Sequence, residues 1–384
     1  MTDSPAGAAG RTDEMDVAEL TRFRRDLHRI PELDFDLPET TAYVERVLGA
    51  LSCEVSRPCH SCVCAHFDVG GTGCTAIRAD MDALPVAERT GLPFASERPG
   101  RMHACGHDAH MAMALAAARW VDRTVRREPG VLPRNVLFVF QPAEETTGGA
   151  KTVCESGVFE RYGVDRIFGF HVWPDLPAGT VASRPGPLLA RSSEVTASFT
   201  GRSAHIARYR EGRDALGAAA RFAVGAKWLS RKLEQEEPCT LRFGRMEAGT
   251  VRNAVAGSAR VEGSLRVFSD AMFDRACAEL DAAARTAAGE EGCEVELGFS
   301  EGYPPVVNDP ALFELVRGAL PWLEEVPEPL LIAEDFSFYQ RHLPGVFLLL
   351  GTGTGTPLHA DTFDLDERVL LRGLEAYRRL LTMA

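Results

Sequence analysis

The sequence predicts an α/β fold into which a smaller α+β domain is inserted. Two nearly continuous apolar runs, Asn135–Phe140 and Val346–Leu350, are typical of strands buried on both faces of a parallel sheet. Polar clusters and helix-like segments follow such runs, which is the alternation expected of an α/β domain. Over residues 188–298 the order changes to strand–helix–strand–strand–helix–strand, which indicates a separate α+β domain.

This pattern divides the chain into four segments. Residues 1–14 are polar and rich in small side chains, and we expect a mobile tail there. The main domain is expected in two parts, residues 15–187 and residues 299–384, on either side of the insertion at 188–298. A chain of 384 residues is long enough for two separate cores.

Charge and composition exclude several classes of partner. The net charge is −13, whereas a protein that binds nucleic acid or an anionic membrane needs a basic face. No apolar run approaches the roughly 18–20 residues that span a bilayer. The first residues lack the basic and apolar regions of a secretion signal. Ten cysteines without such a signal favour reduced thiols, so we expect a cytoplasmic enzyme.

The segment Met102–His110 contains three histidines, a cysteine and an aspartate just before a run of strong helix formers. Cysteine, histidine and carboxylate side chains bind transition metals when deprotonated. Cys105 and His107 are therefore candidate ligands. Taken alone, the segment is equally consistent with a helix start in which Asp108 or His107 caps the helix and His110 is exposed.

Further candidates follow other predicted strands. Glu144 and Glu145 come directly after a buried strand, where adjacent carboxylates are costly unless they share a cation or a proton. One can serve as a general base and the other as a metal ligand. His171 ends the next buried strand, and His359 follows the last one; each is a weak signal alone. Together these side chains favour a dinuclear metal site that hydrolyses an amide.

A second cysteine-rich stretch resembles a zinc cluster. Cys62, Cys64 and His66 share one face of a predicted strand, and Cys59 lies three residues before Cys62. No second CxxC at a suitable distance follows, so a structural metal is disfavoured and the role of the stretch stays open.

Taken together, the motifs resemble the M20 metallopeptidases, in the branch of hippurate hydrolases, auxin-conjugate hydrolases and N-acetyldiaminopimelate deacetylase. The resemblance covers nearly the whole chain after residue 14. It rests on segments that occur in a fixed order: residues 24–33, 78–85, 102–110, 140–145, 169–171, 201–205 and 333–336.

The resemblance implies a role for each residue of the centre. Two divalent ions would be bound; Mn²⁺ is expected, with Zn²⁺, Co²⁺ or Ni²⁺ as alternatives. Glu144 would be the general base that takes a proton from a metal-activated water, and Asp82 would orient His107. The implied metal ligands are Cys105, which bridges the ions, and His107, Glu145, His171 and His359.

The resemblance also implies the architecture: a zinc-peptidase-like α/β catalytic domain with a ferredoxin-like lid and dimerisation domain. His205 of the lid would stabilise the tetrahedral oxyanion in the active site of the partner subunit of a homodimer. Asn253 and Arg266 would bind the carboxylate of the substrate.

The predicted activity is hydrolysis of the amide bond in an N-acyl amino acid or a related small conjugate. One alternative is N-acetyldiaminopimelate deacetylase of lysine biosynthesis, because residues 177–190 resemble that enzyme. A dipeptidase or aminopeptidase is less favoured. A catalytically silent binding protein of the same fold is the non-enzymatic alternative, and the intact Glu144-Glu145 pair argues against it.

Overall fold

The computed structural model describes residues 5–146 and 148–384, with side chains from residue 15 onward. The helices are α1 (Pro5–His28), α2 (Pro38–Leu48), α3 (His107–Arg127), α4 (Gly149–Glu155), α5 (Val158–Tyr162), α6 (Ala215–Leu233), α7 (Asp270–Glu290), α8 (Pro310–Ala319) and α9 (Leu370–Leu381). Short 3-10 helices cover Ile206–Glu211, Asp335–Arg341 and Glu367–Val369.

The strands are β1 (Glu54–Ser56), β2 (Val63–Phe67), β3 (Cys74–Asp80), β4 (Asn135–Gln141), β5 (Val164–Trp173), β6 (Val181–Ser183), β7 (Gly186–Leu189), β8 (Arg191–Thr200), β9 (Thr240–Ala248), β10 (Ser258–Val267), β11 (Glu294–Phe299), β12 (Val306–Asn308), β13 (Glu324–Glu325) and β14 (Gly345–Gly351). Among the described residues no helix has both the length and the apolar character that a membrane span requires.

The chain divides into two compact units. The first contains the chain up to Gly186 together with Val307–Pro327 and Asp335–Ala384, and the second contains Pro187–Val306 and Glu328–Glu334. The second unit therefore begins one residue before the predicted insertion. It also extends past residue 298.

The first unit is built on an eight-stranded sheet of order β1-β2-β4-β3-β5-β14-β6-β13. Its central strands β4, β3, β5 and β14 are parallel, and β2 is antiparallel to β4, so the sheet is mixed. Residues 107–118 of α3 are all buried, as expected of a helix enclosed on every side. In such sheets, binding sites form beyond the carboxyl ends of the parallel strands.

Several element boundaries differ from the sequence pattern. The helix expected from Asp16 begins at Pro5, and residues 1–4 of the predicted tail lie outside the described residues. Strand β5 does not end at His171. Its pairing with β14 continues to Trp173, so His171 lies within the strand.

The second unit contains a four-stranded antiparallel sheet of order β11-β8-β10-β9. The apolar side chains of β8 alternate, and Val195, Ala197 and Phe199 are buried in one core with residues of α6 and α7. This order confirms the ferredoxin-like α+β arrangement predicted from the sequence. It leaves β9 as an edge strand.

Candidate active site

The start of α3 places Cys105 and His107 on either side of a glycine. Gly106 is the N-cap residue and has a φ of 87°, a left-handed conformation that glycine adopts at little cost. A Cβ at this position would lie 2.5 Å from Cγ2 of Val172. The close approach of α3 to β5 brings Sγ of Cys105 to 3.4 Å from Nε2 of His171.

The glutamate pair follows β4 at a tight turn in which Ala143 has a φ of 56°. The carboxylate of Asp82 accepts hydrogen bonds from the backbone N–H groups of Glu144, at 2.9 Å, and Glu145, at 3.0 Å. These two bonds fix the direction in which the glutamate side chains leave the backbone. The acidic pair therefore lies beside α3, with Oε1 of Glu145 3.8 Å from Nε2 of His107.

His359 reaches the same place from the segment after β14. Its backbone N–H donates to the carbonyl of Ala104 at 2.8 Å, and its φ of 66° is unusual for a residue other than glycine. Its Nε2 lies 3.4 Å from Oε1 of Glu145, and its side chain is 52% exposed. His359 is the most exposed of the five candidate ligands.

The hydrogen bonds of two buried histidines leave their Nε2 atoms available as ligands. Nδ1 of His107 lies 2.8 Å from the carbonyl oxygen of Asp82, and Nδ1 of His171 lies 2.7 Å from that of Val172. Because a carbonyl only accepts, each Nδ1 must carry the proton. In the neutral form of each ring, which is the form that binds a metal, Nε2 then presents a lone pair.

The ligand atoms form two groups that share Cys105. The atoms of Cys105, His107 and His171 lie within 4.8 Å of one another, as do those of Cys105, Glu145 and His359. Nε2 of His107 and Oε1 of Glu145 are buried with no hydrogen-bond partner among the described residues. Unpartnered buried polar atoms are costly. The donor set therefore fits a pair of divalent ions around one shared thiolate.

The electrostatics of the site also suit a cation. Burial and the neighbouring Glu145 and Glu144 raise the pKa of the Cys105 thiol well above its ordinary value. Burial alone would lower the pKa of His107, but the charge of Asp80 together with Asp82 and the charge of Glu145 outweighs burial and raises this pKa to about 10. Excess negative charge in a buried site is what bound metal ions commonly balance.

Two supporting contacts differ from the sequence prediction or were missed by it. The Asp82 carboxylate, predicted to orient His107, accepts from the backbone of the glutamate pair, and its Oδ1 is 3.7 Å from Nδ1 of His107. The Asp82 carbonyl makes the closer contact with this ring, at 2.8 Å. His110 is fully buried rather than exposed. Its Nε2 accepts from the N–H of Val172 at 2.9 Å, so its Nδ1 donates to Asp80 at 2.6 Å. The two aspartates at the end of β3, Asp80 and Asp82, were the sequence feature from which a buried partner for His110 could have been predicted.

The remaining predicted residues belong to the second unit. His205 is exposed, its Nδ1 accepts from the N–H of Ala207 at 3.2 Å, and it pairs with Ala254 beside Asn253. Arg266 donates to the carbonyl of Leu331 at 3.0 Å, and burial lowers its pKa. The bridge between His205 and Ala254 therefore places His205 close to Asn253, whereas Arg266 lies on a different element, β10.

Residues 76–383 match the model of peptidase family M20/M25/M40, and the chain belongs to this family. It is a metal-dependent hydrolase that acts on amide bonds. This finding confirms the predicted resemblance and the predicted class of enzyme.

Relatives cover almost the whole chain. The N-acetyldiaminopimelate deacetylase of Limosilactobacillus fermentum is 35% identical over 379 residues, which are 95% of this chain and 97% of the relative. The enzyme of the same name from Lactobacillus helveticus is 33% identical over 95% of this chain and 97% of the relative. A solved Bacillus subtilis structure, described as a dinuclear metal-binding peptidase of the M20 family, superposes with a TM-score of 0.84 at 32% identity. It covers 96% of this chain and 98% of its own.

Proposed function

We propose that this enzyme removes the acyl group from an N-acyl amino acid or a related small conjugate. The observation that carries the proposal is the pair of ligand groups around Cys105, with Glu144 beside them. We assign the ligand roles to Cys105, His107, Glu145, His171 and His359, and we expect two Mn²⁺ ions. The ten free thiols support a reducing, cytoplasmic setting.

When bound, the ions supply Lewis acidity and a water of lowered pKa. Glu144 accepts the proton of the attacking water and transfers it to the amine that leaves. Asp82 holds the backbone of Glu144 and Glu145, so the base keeps its direction during proton transfer. Nδ1 of His205 accepts from the N–H of Ala207, so the neutral ring carries its proton on Nε2. This Nε2–H donates a hydrogen bond to the oxyanion.

Asn253 and Arg266 are proposed to bind the carboxylate of the substrate. An arginine offers a planar pair of donors that matches a carboxylate. The half-buried position of Arg266 limits competition from water for those donors.

A homodimer formed through the second unit completes the proposal. Strand β9 is an edge strand with unpaired backbone groups on one side. On α6, Leu216, Val224 and Trp228 recur at helical spacing and are 48%, 60% and 64% exposed. An exposed apolar stripe beside a free strand edge is typical of a surface that another subunit covers.

Deacetylation of N-acetyldiaminopimelate is the second candidate. It is favoured because the two curated relatives described above carry that name. The two candidates differ in the amine that is released, so we would compare kcat/KM for N-acetyldiaminopimelate with kcat/KM for acetyl, benzoyl and indole-acetyl derivatives of ordinary amino acids, with Mn²⁺ supplied. A preference for the first substrate by two orders of magnitude or more would establish the deacetylase.

The substitution Glu144→Ala tests the mechanism. Without a base we expect turnover to fall by about 10²–10⁴-fold. The metal content should stay at two ions per chain, because the five proposed ligands remain. The matched control is Glu160→Ala, which removes an exposed glutamate on α5 and should leave both quantities unchanged. Unchanged turnover in Glu144→Ala, measured with metal content by mass spectrometry, would contradict the proposed base.

A further inference from the structure

A cluster of three cysteines lies outside the candidate active site, just before and within β2. Cys59 is half-buried, and Cys62 and Cys64 are fully buried; all three are free thiols. Within the described part of the chain, none of the groups of potential metal ligands includes them. The spacing that resembles a zinc cluster therefore needs another explanation.

The backbone holds Cys59 and Cys62 at opposite ends of a tight turn. The N–H of Cys62 donates to the carbonyl of Cys59 at 3.2 Å, and Ser61 within the turn has a φ of 55°. Such a turn brings its end Cα atoms within about 7 Å. A disulfide usually spans a Cα separation of roughly 4.4–6.8 Å. The turn therefore places the two residues close to the separation that a disulfide requires.

The two thiols also differ in pKa and in exposure, as the attacking and resolving thiols of a thiol–disulfide exchange do. The neighbouring Cys62 thiol lowers the pKa of Cys59. Contacts with Cys59 and Cys64, together with burial, raise the pKa of Cys62. In CxxC dithiols the more exposed thiolate attacks first, and the buried thiol then resolves the intermediate.

Cys64 is a poorer partner than Cys59, although its Sγ lies 4.0 Å from that of Cys62. Cys62 and Cys64 flank Val63 in extended chain, where two residues span about 6.6 Å, near the upper limit for a disulfide. Both thiols are fully buried, so an oxidant reaches neither of them first.

The turn precedes β2 and lies at the same end of the sheet as the glutamate pair. Val63 pairs with Phe140 in antiparallel register, so the turn is beside the end of β4 that leads to Glu144. The hydroxyl of Ser61 donates to the carbonyl of Phe35 at 2.6 Å. Asp34, which precedes Phe35 in the chain, accepts a hydrogen bond from the hydroxyl of Thr146 at 2.7 Å.

Thr146 directly follows Glu145, so these two hydrogen bonds link the cysteine turn to the loop that carries a proposed metal ligand. A change in the conformation of the turn would reach that loop through Phe35 and Asp34. Oxidation of the turn can therefore alter the site without any contact between the cysteines and the substrate.

We propose that Cys59 and Cys62 form a reversible disulfide that lowers the activity of the neighbouring site; the second half of this proposal rests on the proposed function. A small-molecule disulfide is the oxidant. The Cys59 thiolate attacks one of its sulfurs, which forms a mixed disulfide and releases one small thiol. Cys62 loses its proton and attacks the Cys59 sulfur, which releases the second small thiol. Two protein thiols are oxidised and one small disulfide is reduced.

The test uses the metal-loaded full chain in buffers of graded reduced and oxidised glutathione. Free thiols are trapped with N-ethylmaleimide, and the linkage is read by peptide mass spectrometry. We expect a Cys59–Cys62 disulfide that dithiothreitol reverses, together with a fall in amide hydrolysis of about fivefold or more. Cys59→Ser should form no disulfide here and keep its activity in oxidised buffer. Cys64→Ser is the matched control and should behave like the unmodified chain.

Three results would overturn the proposal: a Cys62–Cys64 linkage, a mixed disulfide that remains on Cys59, or an equal loss of activity in oxidised Cys59→Ser. The last result would place the sensitive thiol elsewhere, for example at Cys105. The linkage itself is measured without any substrate. If it forms while the reduced enzyme hydrolyses no N-acyl amino acid, the proposed function fails and the dithiol stands.

Discussion

His28 lies between two carboxylates in the interior of the first unit. Its Nδ1 is 2.8 Å from Asp108 and its Nε2 is 3.4 Å from Glu88, while Arg24 also binds Asp108 and His103 lies nearby. Burial alone would lower the pKa of His28, but the hydrogen bonds to the two carboxylates raise it to about 9. Asp108 is thus a partner of His28 and Arg24, and the expected capping role falls to Gly106.

The hydrogen bonds of His28 to Asp108 and Glu88 predict that the free energy of unfolding depends on pH. The pKa of His28 is about 9 when folded and about 6.5 when unfolded, so its contribution is complete below about pH 6.5 and is lost as the pH rises through 9. His28→Gln should reduce the free energy of unfolding by about 2 kcal/mol at pH 6 and by clearly less at pH 9.5. Urea unfolding at both pH values measures the difference, with the exposed His342→Gln as control. Equal losses at both values would mean that the charge of His28 contributes nothing.

The sequence predicts a site residue when the residues that mark it lie next to it in the chain, and it fails when the contact joins distant segments. Glu144 and Glu145 come shortly after an apolar strand, so burial and charge are both visible in a few residues. The contact between Asp80 and His110 joins residues 30 positions apart and depends on how α3 packs against β3. The short contact between the Asp82 carbonyl and His107 depends on the path of the backbone, which the sequence does not reveal.

At the scale of elements, the start of α3 depends on its N-cap residue, Gly106. Gly106 both adopts a left-handed φ and allows α3 to approach Val172 of β5. Strand β5 itself runs past His171 because its ladder with β14 is longer than its own apolar run suggests. Pairing between distant strands is a tertiary effect, which is why the sequence predicted the strand but not its end.

Gly106→Ala should therefore disturb the helix start and the site together. We expect a loss of about 2–4 kcal/mol in the free energy of unfolding, from the left-handed φ and the clash with Val172. Metal affinity should fall too, because Cys105 and His107 flank the glycine. Gly100→Ala is the matched control: its φ is 77°, but nothing lies within 4 Å of its Cβ, so only about 1 kcal/mol should be lost. Denaturant unfolding and calorimetric metal titration measure both effects, and equal losses in the two variants would refute the packing argument.

At the scale of the whole molecule, the proposed role of His205 has to account for the position of this residue in the second unit, whereas the candidate active site lies in the first unit. The ring is exposed and is held by Ala207 through Nδ1, so its free nitrogen is a donor with no partner among the described residues. In the proposed homodimer, two second units would associate through the exposed stripe on α6 and the free edge of β9. A donor that becomes useful only in a dimer would make activity depend on assembly.

Mixed dimers test this dependence. If each site combines Glu144 of one chain with His205 of the other, a His205→Ala chain paired with a Glu144→Ala chain has one complete site and one that lacks both groups. Random exchange at equal amounts makes about half of the dimers mixed, so about a quarter of the original activity should return, while each variant alone stays nearly inactive. Mixing Glu144→Ala with Glu144→Gln is the control and should restore nothing. Exchange is verified by native mass spectrometry. If mixed dimers are present and activity does not return, His205 acts within its own chain or outside catalysis.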